Sequence, residues 1–421
     1  MSHAVPYPGK KKQISSKNRS KENARAKKHP ARRPYDQILF SVTVALVVIG
    51  LFAVFTASAM QADLETGSTF STLLKQTIAV VVGSFGLFFG SQFFFERWKK
   101  LARPLAFIAL ALLAFTAIAG LSANGSERWI KLPMGFQFQP SDFAKLTAIF
   151  LMAQATTQHK NLLNGNSIAN LALVTLMSVF IVKQPNLSVT IIIGIMTLGI
   201  LFVAGMPRYL FFSIIPAMGA GVAYVIANNT YQLDRIKGWL DPWQYPGDEG
   251  YNIIQSYFAV GSGGLFGVGL GNSIQKLHYL PFQHTDFIFS IICEEWGFIG
   301  ASIVIGLFLV LAWRGFQIAL QSPSSFGRML AFGLTLAIIL QALINIAVTL
   351  GILPVTGVTL PLISYGGSSM IITLSMIGIL LNISRYNKPR VPFSAEKQNT
   401  PDPVSASKRL SAYHQPEEQP L

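Results

Sequence analysis

The sequence is poor in charged residues and in cysteine. Only 12% of its 421 residues are Asp, Glu, Lys or Arg, about half of the ~25% that is usual in soluble domains. The one cysteine, Cys293, excludes an intramolecular disulfide framework and a cysteine-rich metal site. No Walker sequence, HExxH or GxSxG motif occurs, so the common signatures of P-loop NTPases, zinc proteases and serine hydrolases are missing.

Apolar residues, in contrast, make up 51% of the chain. Several runs approach or exceed the ~20 residues that cross a bilayer as a helix, and they do not alternate as the strands of a membrane β-barrel do. The sequence therefore predicts an all-α polytopic membrane protein with ten transmembrane helices. The predicted spans are Ile38–Met60, Leu73–Gln92, Arg103–Leu121, Phe143–Thr156, Ile168–Val182, Val189–Gly205, Tyr209–Asn228, Phe287–Ala312, Leu330–Leu350 and Ser368–Ile383.

The positive charge is concentrated at the N-terminus. Residues 1–35 contain eleven Lys or Arg and a single Glu, out of a net charge of +15 for the whole chain. This composition predicts a disordered basic tail that binds anionic lipid headgroups on the cytoplasmic side. Nucleic-acid binding is the other interpretation of such an arm, and we disfavour it because the next helix tethers the tail to a membrane. Residues 387–421 are predicted to form a second disordered cytoplasmic tail.

The remaining basic residues fall mainly on one side of the membrane if ten spans alternate. Because Lys and Arg are enriched in cytoplasmic loops, both termini are predicted to lie in the cytoplasm, with residues 36–386 as the transmembrane domain. Residues 229–285 then form a large extracytoplasmic loop between helices seven and eight. The residues on the cytoplasmic side are Arg97, Lys99, Lys100, Arg103, Lys160, Arg208, Arg314, Arg328, Arg385, Lys388 and Arg390.

Asp286 stands where this large loop meets the eighth predicted span. An ionisable group at a membrane face is costly unless it has a partner or a function. However, Thr285 and Asp286 are also residue types that commonly cap a helix N-terminus. On the residues alone, helix capping and a chemical role are equally supported.

Two more carboxylates follow in the same span. Glu294 and Glu295 come eight and nine residues after Asp286, which places them about 12 Å deeper along a helix. Three carboxylates on one helix are compatible with a proton or ion path in a transporter. Alternatively, the deeper pair braces Lys145 or another buried cation. In that case Asp286 alone suits a base that helps a hydroxyl attack a lipid-linked diphosphate.

Two further segments are unusual. Asp142 and Lys145 lie three residues apart at the start of the fourth span, so their side chains can form an ion pair. The pair either serves only to neutralise the two charges or forms the wall of a polar pocket. Between spans nine and ten, Gly351–Ser369 combines apolar residues with two prolines and a Gly-Gly pair. A segment of this kind is typical of re-entrant backbone that lines a cavity.

Seven stretches of the sequence resemble one known family, the SEDS proteins of shape, elongation, division and sporulation. The resemblance runs in order from about residue 38 to residue 385, and two of its segments, GVTLPLISYGGSS and WLDPWQYPG, are more similar to the division members than to the elongation members. The seven stretches are NGSERWI, QPSDFAK, KQPNLS, DPWQYPGDEGYN, GVGLGNSIQKLHYLP, HTDFIFSIICEEWG and LPLISYGGSS.

The resemblance implies a peptidoglycan glycosyltransferase that polymerises lipid II into a nascent glycan strand at the division septum. It implies inverting transfer with release of undecaprenyl diphosphate, and it implies as partners a class B penicillin-binding transpeptidase and other division proteins. Asp286 is implied as the general base. The implied substrate-binding residues are Arg128, Asp142, Lys145, Lys276 and Glu295. No cofactor is certain, and a divalent cation, Mg²⁺ or Mn²⁺, is the alternative to Arg128 or Lys145 for steadying the diphosphate.

Some positions depart from the family pattern. Asp142 stands where Glu is usual, and Asn186 stands where Asp is usual, which weakens any role for a carboxylate at position 186. Two other functions stay open. A lipid II flippase would use Asp286, Glu294 and Glu295 as its polar track, and a non-catalytic scaffold would only recruit the transpeptidase.

Overall fold

The protein is described here by a computed structural model, which covers residues 33–119, 121–123, 126–131, 136–157, 164–277 and 279–387. Most of these residues are helical. The helices are α1 (Gln37–Thr66), α2 (Ser71–Gln92), α3 (Trp98–Ala119), α4 (Pro140–Ala155), α5 (Gly165–Lys183), α6 (Leu187–Val203), α7 (Arg208–Ala227), α8 (Thr230–Leu240), α9 (Tyr251–Ser262), α10 (Ile288–Gln321), α11 (Ser325–Thr349) and α12 (Gly367–Ser384).

Eight of the described helices are long and apolar enough to cross a membrane, namely α1, α2, α3, α5, α7, α10, α11 and α12. Helices α4 and α6 are shorter, with 16 and 17 residues. Each of the ten predicted spans overlaps one of these ten helices, whereas the count of ten crossings stays a prediction.

The two predicted tails fall almost wholly outside the described residues. Only residues 33–35 of the basic tail and residue 387 of the C-terminal tail are described. The described residues up to Tyr386 belong to one compact unit.

Helix α4 lies at the centre of the helical bundle. All of its residues except Phe143 are buried, and it contacts α3, α5, α6, α11 and α12. Pro140 occupies the first turn of α4, where proline favours a helix start because its backbone angle is already helical. In contrast, α7 has no buried residue and mainly contacts its sequence neighbours α6 and α8.

A small antiparallel sheet joins α3 to α4 and corrects the all-α prediction. Its strands are β1 (Leu121–Ala123), β2 (Ser126–Lys131) and β3 (Gln137–Phe138), in the order β1-β2-β3. The strands are too short to show a clear alternation of apolar and polar residues. The Asn-Gly pair between β1 and β2 is a sequence signal that is typical of a hairpin turn.

Helix α10 is interrupted at Gly297, which has φ 66° and ψ −166°. The glycine-rich segment 263–269 completes the hydrogen bonds that this break leaves open. The N–H of Val268 donates to the carbonyl of Glu294 (2.9 Å). Beyond the break, the N–H groups of residues 298 and 299 donate to the carbonyls of residues 264 and 265 at 2.9 and 3.2 Å. The contact is so close that a Cβ on Gly267 would lie 2.1 Å from a backbone oxygen.

The segment between α11 and α12 is non-helical, as its prolines and glycines predict. Residues 358, 360 and 362–364 are buried in it. Asn345 of α11 ties this segment to the chain before α10, because its side-chain amide donates to the carbonyls of Val358 and Asp286, both at 2.7 Å. The Ser364 hydroxyl adds a hydrogen bond to the carbonyl of Thr285 (2.6 Å). These contacts fix the backbone position of Asp286.

Candidate active site

A cavity of about 980 Å³ opens among β2, the start of α4, α8, residues 280–287 and residues 355–369. The predicted residues Asp286, Arg128 and Asp142 all line it. The segment after α11 also contributes to its wall, as the re-entrant prediction requires. Sequence-distant parts of the chain therefore meet at one polar cavity.

Asp286 is half-buried at the wall of this cavity. Burial raises the pKa of its carboxyl from the ordinary 3.8 to about 6, against the opposing positive charges of Arg235 and Arg128. No side chain in the described part of the chain donates a hydrogen bond to the carboxylate or lies within ion-pairing distance of it. The capping interpretation is wrong, because Phe287 is the N-cap of α10 and no side chain bonds there.

Two arginines face Asp286 from different elements. Arg128 of β2 donates to the carbonyls of Gln184 (2.8 Å) and Pro185, and burial lowers its pKa. Arg235 of α8 donates to the carbonyl of Val355 (3.0 Å) and lies 4.5 Å from the ring centre of Tyr231. Neither arginine forms an ion pair with a described residue, so their charge stays available to an anion in the cavity.

Asp142 and Lys145 form the predicted ion pair, at 3.4 Å between carboxylate and ammonium. Ser368 donates a second hydrogen bond to Asp142 (3.0 Å), and Lys145 also donates to the side-chain oxygen of Gln341. Asp142 and Gln341 line the cavity, whereas Lys145 lies behind them and does not. Lys145 thus supports the wall from within rather than facing the cavity.

Lys276 and Glu295 lie outside the lining of the cavity. They form a buried ion pair with each other at 3.0 Å. The neighbouring Glu294 accepts hydrogen bonds from the hydroxyl of Ser273 and the N–H of Ile274 (2.8 Å). Of the two deeper carboxylates, Glu295 therefore braces a buried cation, Lys276, as one of the two interpretations predicts, whereas Glu294 is held by a hydroxyl and the backbone. As substrate contacts, Lys276 and Glu295 stay a prediction.

Sequence reasoning missed Arg235 and Lys75, both of which line the cavity. Arg235 is four residues after Tyr231 on α8, a spacing that places both on one helix face. That spacing was a usable signal for a cation held by an aromatic ring. Nothing in the local sequence of α2 indicates that Lys75 reaches the cavity.

The sequence pattern of the FtsW/RodA/SpoVE family, described as cell cycle proteins, matches residues 36–389. A Trichlorobacter lovleyi protein named "probable peptidoglycan glycosyltransferase FtsW" is 39% identical over 363 residues, which cover 83% of this chain and 93% of that protein. Stage V sporulation protein E of Bacillus subtilis is 39% identical over 360 residues, which cover 84% of this chain and 98% of that protein.

Two solved structures are similar in fold. One is a chain of a peptidoglycan synthase complex, from work on the structural coordination of polymerization and crosslinking. It matches with a TM-score of 0.69 and 31% identity, covering 83% of this chain and 98% of that chain. The other is the rod shape determining protein RodA of Thermus thermophilus, with a TM-score of 0.62 and 28% identity, covering 84% of this chain and 98% of that chain.

Proposed function

Since the chain belongs to the FtsW/RodA/SpoVE family of cell cycle proteins, we propose that it is a peptidoglycan glycosyltransferase that polymerises lipid II during cell division. One observation carries the proposal. In a cavity of about 980 Å³, the desolvated carboxylate of Asp286 faces two arginines, Arg128 and Arg235, and no described residue forms an ion pair with any of the three. The names of the relatives support the activity and the division role.

Asp286 acts as the general base. It accepts the proton of the acceptor sugar's 4-hydroxyl while that oxygen forms a bond to the anomeric carbon of the lipid-linked donor chain. The bond from that carbon to the diphosphate breaks in the same step, so the configuration inverts and undecaprenyl diphosphate leaves. A pKa of about 6 keeps Asp286 mostly ionised at neutral pH and makes it a stronger base than an ordinary aspartate.

Arg128 and Arg235 stabilise the departing diphosphate. Fixed cations in a desolvated site stabilise developing negative charge more strongly than water does. In the described residues, no three Asp, Glu, His or Cys side chains cluster closely enough to hold a metal ion. Mg²⁺ commonly binds through one or two carboxylates and the substrate phosphates, so an Mg²⁺ or Mn²⁺ ion would need lipid II to complete its site.

The arrangement in the membrane follows from the same proposal. Helices α4 and α6 join the eight longer helices as the fourth and sixth of ten spans, and both termini lie in the cytoplasm. Residues 229–285 and the cavity then face the outside of the inner membrane at the division septum. A class B penicillin-binding transpeptidase is the proposed partner, because a structural neighbour comes from a complex that couples polymerization to crosslinking.

The test is Asp286→Asn in a lipid II polymerisation assay with purified protein in liposomes. Loss of a general base reduces the rate about 10²- to 10⁴-fold. Asp234→Asn is the matched control, because Asp234 is an exposed α8 aspartate paired with Lys237 at 2.9 Å. Wild-type glycan length and rate from a folded Asp286→Asn protein would contradict the proposal. An EDTA arm with the wild type tests the metal requirement.

The same liposomes separate the flippase alternative. The structure weakens it, because neither Glu294 nor Glu295 lines the cavity with Asp286. An enzyme makes glycan from lipid II that is already on the outer side, and a flippase does not. A scaffold, in turn, predicts that Asp286→Asn at normal abundance supports cell division.

A further inference from the structure

The cavity contains a third cation that the proposed mechanism does not use. Lys75, in the second turn of α2, is partly buried and lines the cavity. No acid in the described ranges lies within ion-pairing distance of it. A lysine that faces a cavity without a counter-ion is available to bind an anion.

The backbone around Lys75 is firmly held. The next residue, Gln76, is fully buried, and its amide donates to the carbonyl of Ser364 (3.1 Å) and accepts from the N–H of Gly366 (3.3 Å). This turn of α2 is therefore fixed against the same non-helical segment that supports Asp286. Lys75 thus projects from an anchored turn of helix rather than from a loop.

Lys75 reaches the cavity from a different element than the two arginines. Arg128 lies in β2 and Arg235 in α8, whereas Lys75 lies in α2. The cavity thus receives a cation from each of these three described elements.

The proposed reaction requires two anion sites. Polymerisation joins two lipid-linked molecules, and each carries a diphosphate. The donor's diphosphate leaves from the carbon under attack, so it must lie beside the base, at the two arginines. The acceptor's diphosphate stays attached at the opposite end of its disaccharide from the attacking hydroxyl. It must therefore lie one disaccharide away from Asp286.

We infer that Lys75 binds the diphosphate of the acceptor lipid II. This inference rests on the proposed function and adds a residue and a position to it. The shared chemistry is that of a lipid phosphate, and its other source is the headgroup of a bulk anionic phospholipid, which lysines at membrane surfaces also contact.

The experiment compares Lys75→Gln with wild type in full-length protein, in vesicles of phosphatidylcholine with and without phosphatidylglycerol. Two quantities are measured: equilibrium binding of labelled lipid II, and the KM and kcat of polymerisation. Lys75→Arg tests rescue. Lys237→Gln is the control, because it makes the same charge change at an exposed lysine outside the cavity lining.

We expect Lys75→Gln to weaken lipid II binding and raise KM by roughly tenfold or more in both kinds of vesicle. The kcat should change little, Lys75→Arg should restore binding, and Lys237→Gln should behave as wild type. Unchanged binding and KM, a defect confined to phosphatidylglycerol vesicles, or a loss of kcat alone would each overturn the inference. The binding measurement tests the role of Lys75 even if the wild type makes no glycan. The absence of glycan would contradict the proposed function rather than this inference.

Discussion

Asp286 and the Glu294–Glu295 pair are neighbours in sequence, yet their surroundings are opposite. Glu295 pairs with Lys276, and Glu294 accepts hydrogen bonds from a hydroxyl and the backbone. Asp286 stands at a cavity wall, where no described residue forms an ion pair with it. Buried charges that are fully partnered hold a structure together, whereas a desolvated charge without a partner is typical of a functional site. The comparison predicts that stability depends on the glutamates and chemistry on the aspartate.

The largest effect on stability is expected at the buried ion pair. Lys276→Met leaves Glu295 buried without a partner and should lower the free energy of unfolding by about 3–5 kcal/mol. Thermal unfolding in detergent micelles measures this. The double variant Lys276→Met/Glu295→Gln should recover most of the loss. Lys237→Met, which breaks an exposed pair, should leave the unfolding temperature almost unchanged. Unchanged stability of Lys276→Met would contradict the prediction that the fold depends on the buried pair of Lys276 and Glu295.

Asp286→Asn, in contrast, is expected to raise the free energy of unfolding at neutral pH. The folded carboxyl has a higher pKa than the ordinary 3.8, so the folded state holds the proton more tightly and wild-type stability falls as pH rises from about 4 to 6. At pH 7.5 the asparagine variant should therefore be more stable than wild type by about 1–3 kcal/mol. The difference should vanish near pH 4. Destabilisation at every pH would assign Asp286 a structural role.

The activity should follow the protonation of the same carboxyl. Only the ionised form accepts a proton, so kcat/KM for lipid II should fall about tenfold per pH unit below a midpoint of about 6. This prediction is tested by measuring initial polymerisation rates from about pH 4.5 to about pH 8. Recovery of the rate on return to pH 7.5 is the control for unfolding. A flat profile would contradict the base role.

The smallest expected effect is a shift of that midpoint. Arg235 lowers the pKa of Asp286, so Arg235→Gln should move the midpoint upward by less than about one unit. Arg235→Lys keeps the positive charge and should leave the midpoint in place. An unmoved midpoint in Arg235→Gln would show that Arg235 does not act on the base.

Local signals in the sequence predicted the helices and part of the site. The apolar runs located ten helical segments, and the three-residue spacing of Asp142 and Lys145 predicted their pair, because both signals depend only on near neighbours. The partners of the deeper glutamates were not predictable in this way. Lys276 meets Glu295 only because segment 263–269 docks on α10, and no local pattern encodes that docking.

The cations of the cavity show the same limit. The family resemblance predicts Arg128 as a site residue, whereas it predicts neither Arg235 nor Lys75. Their place depends on how α8 and α2 pack against the segment after α11. The sheet was missed for another reason, since its strands have only three, six and two residues.

The break at Gly297 constrains how this protein is made. Within a bilayer, backbone groups that lack partners cost several kcal/mol, about 2–7 each, and α10 depends on segment 263–269 for those partners. That segment leaves the ribosome before residue 297 does, so it is ready when the second half of α10 enters the lipid. A ribosome-bound chain that ends just after α10 should thus already contain this junction. Protection of the amides of residues 298 and 299 from hydrogen exchange would show that the junction has formed.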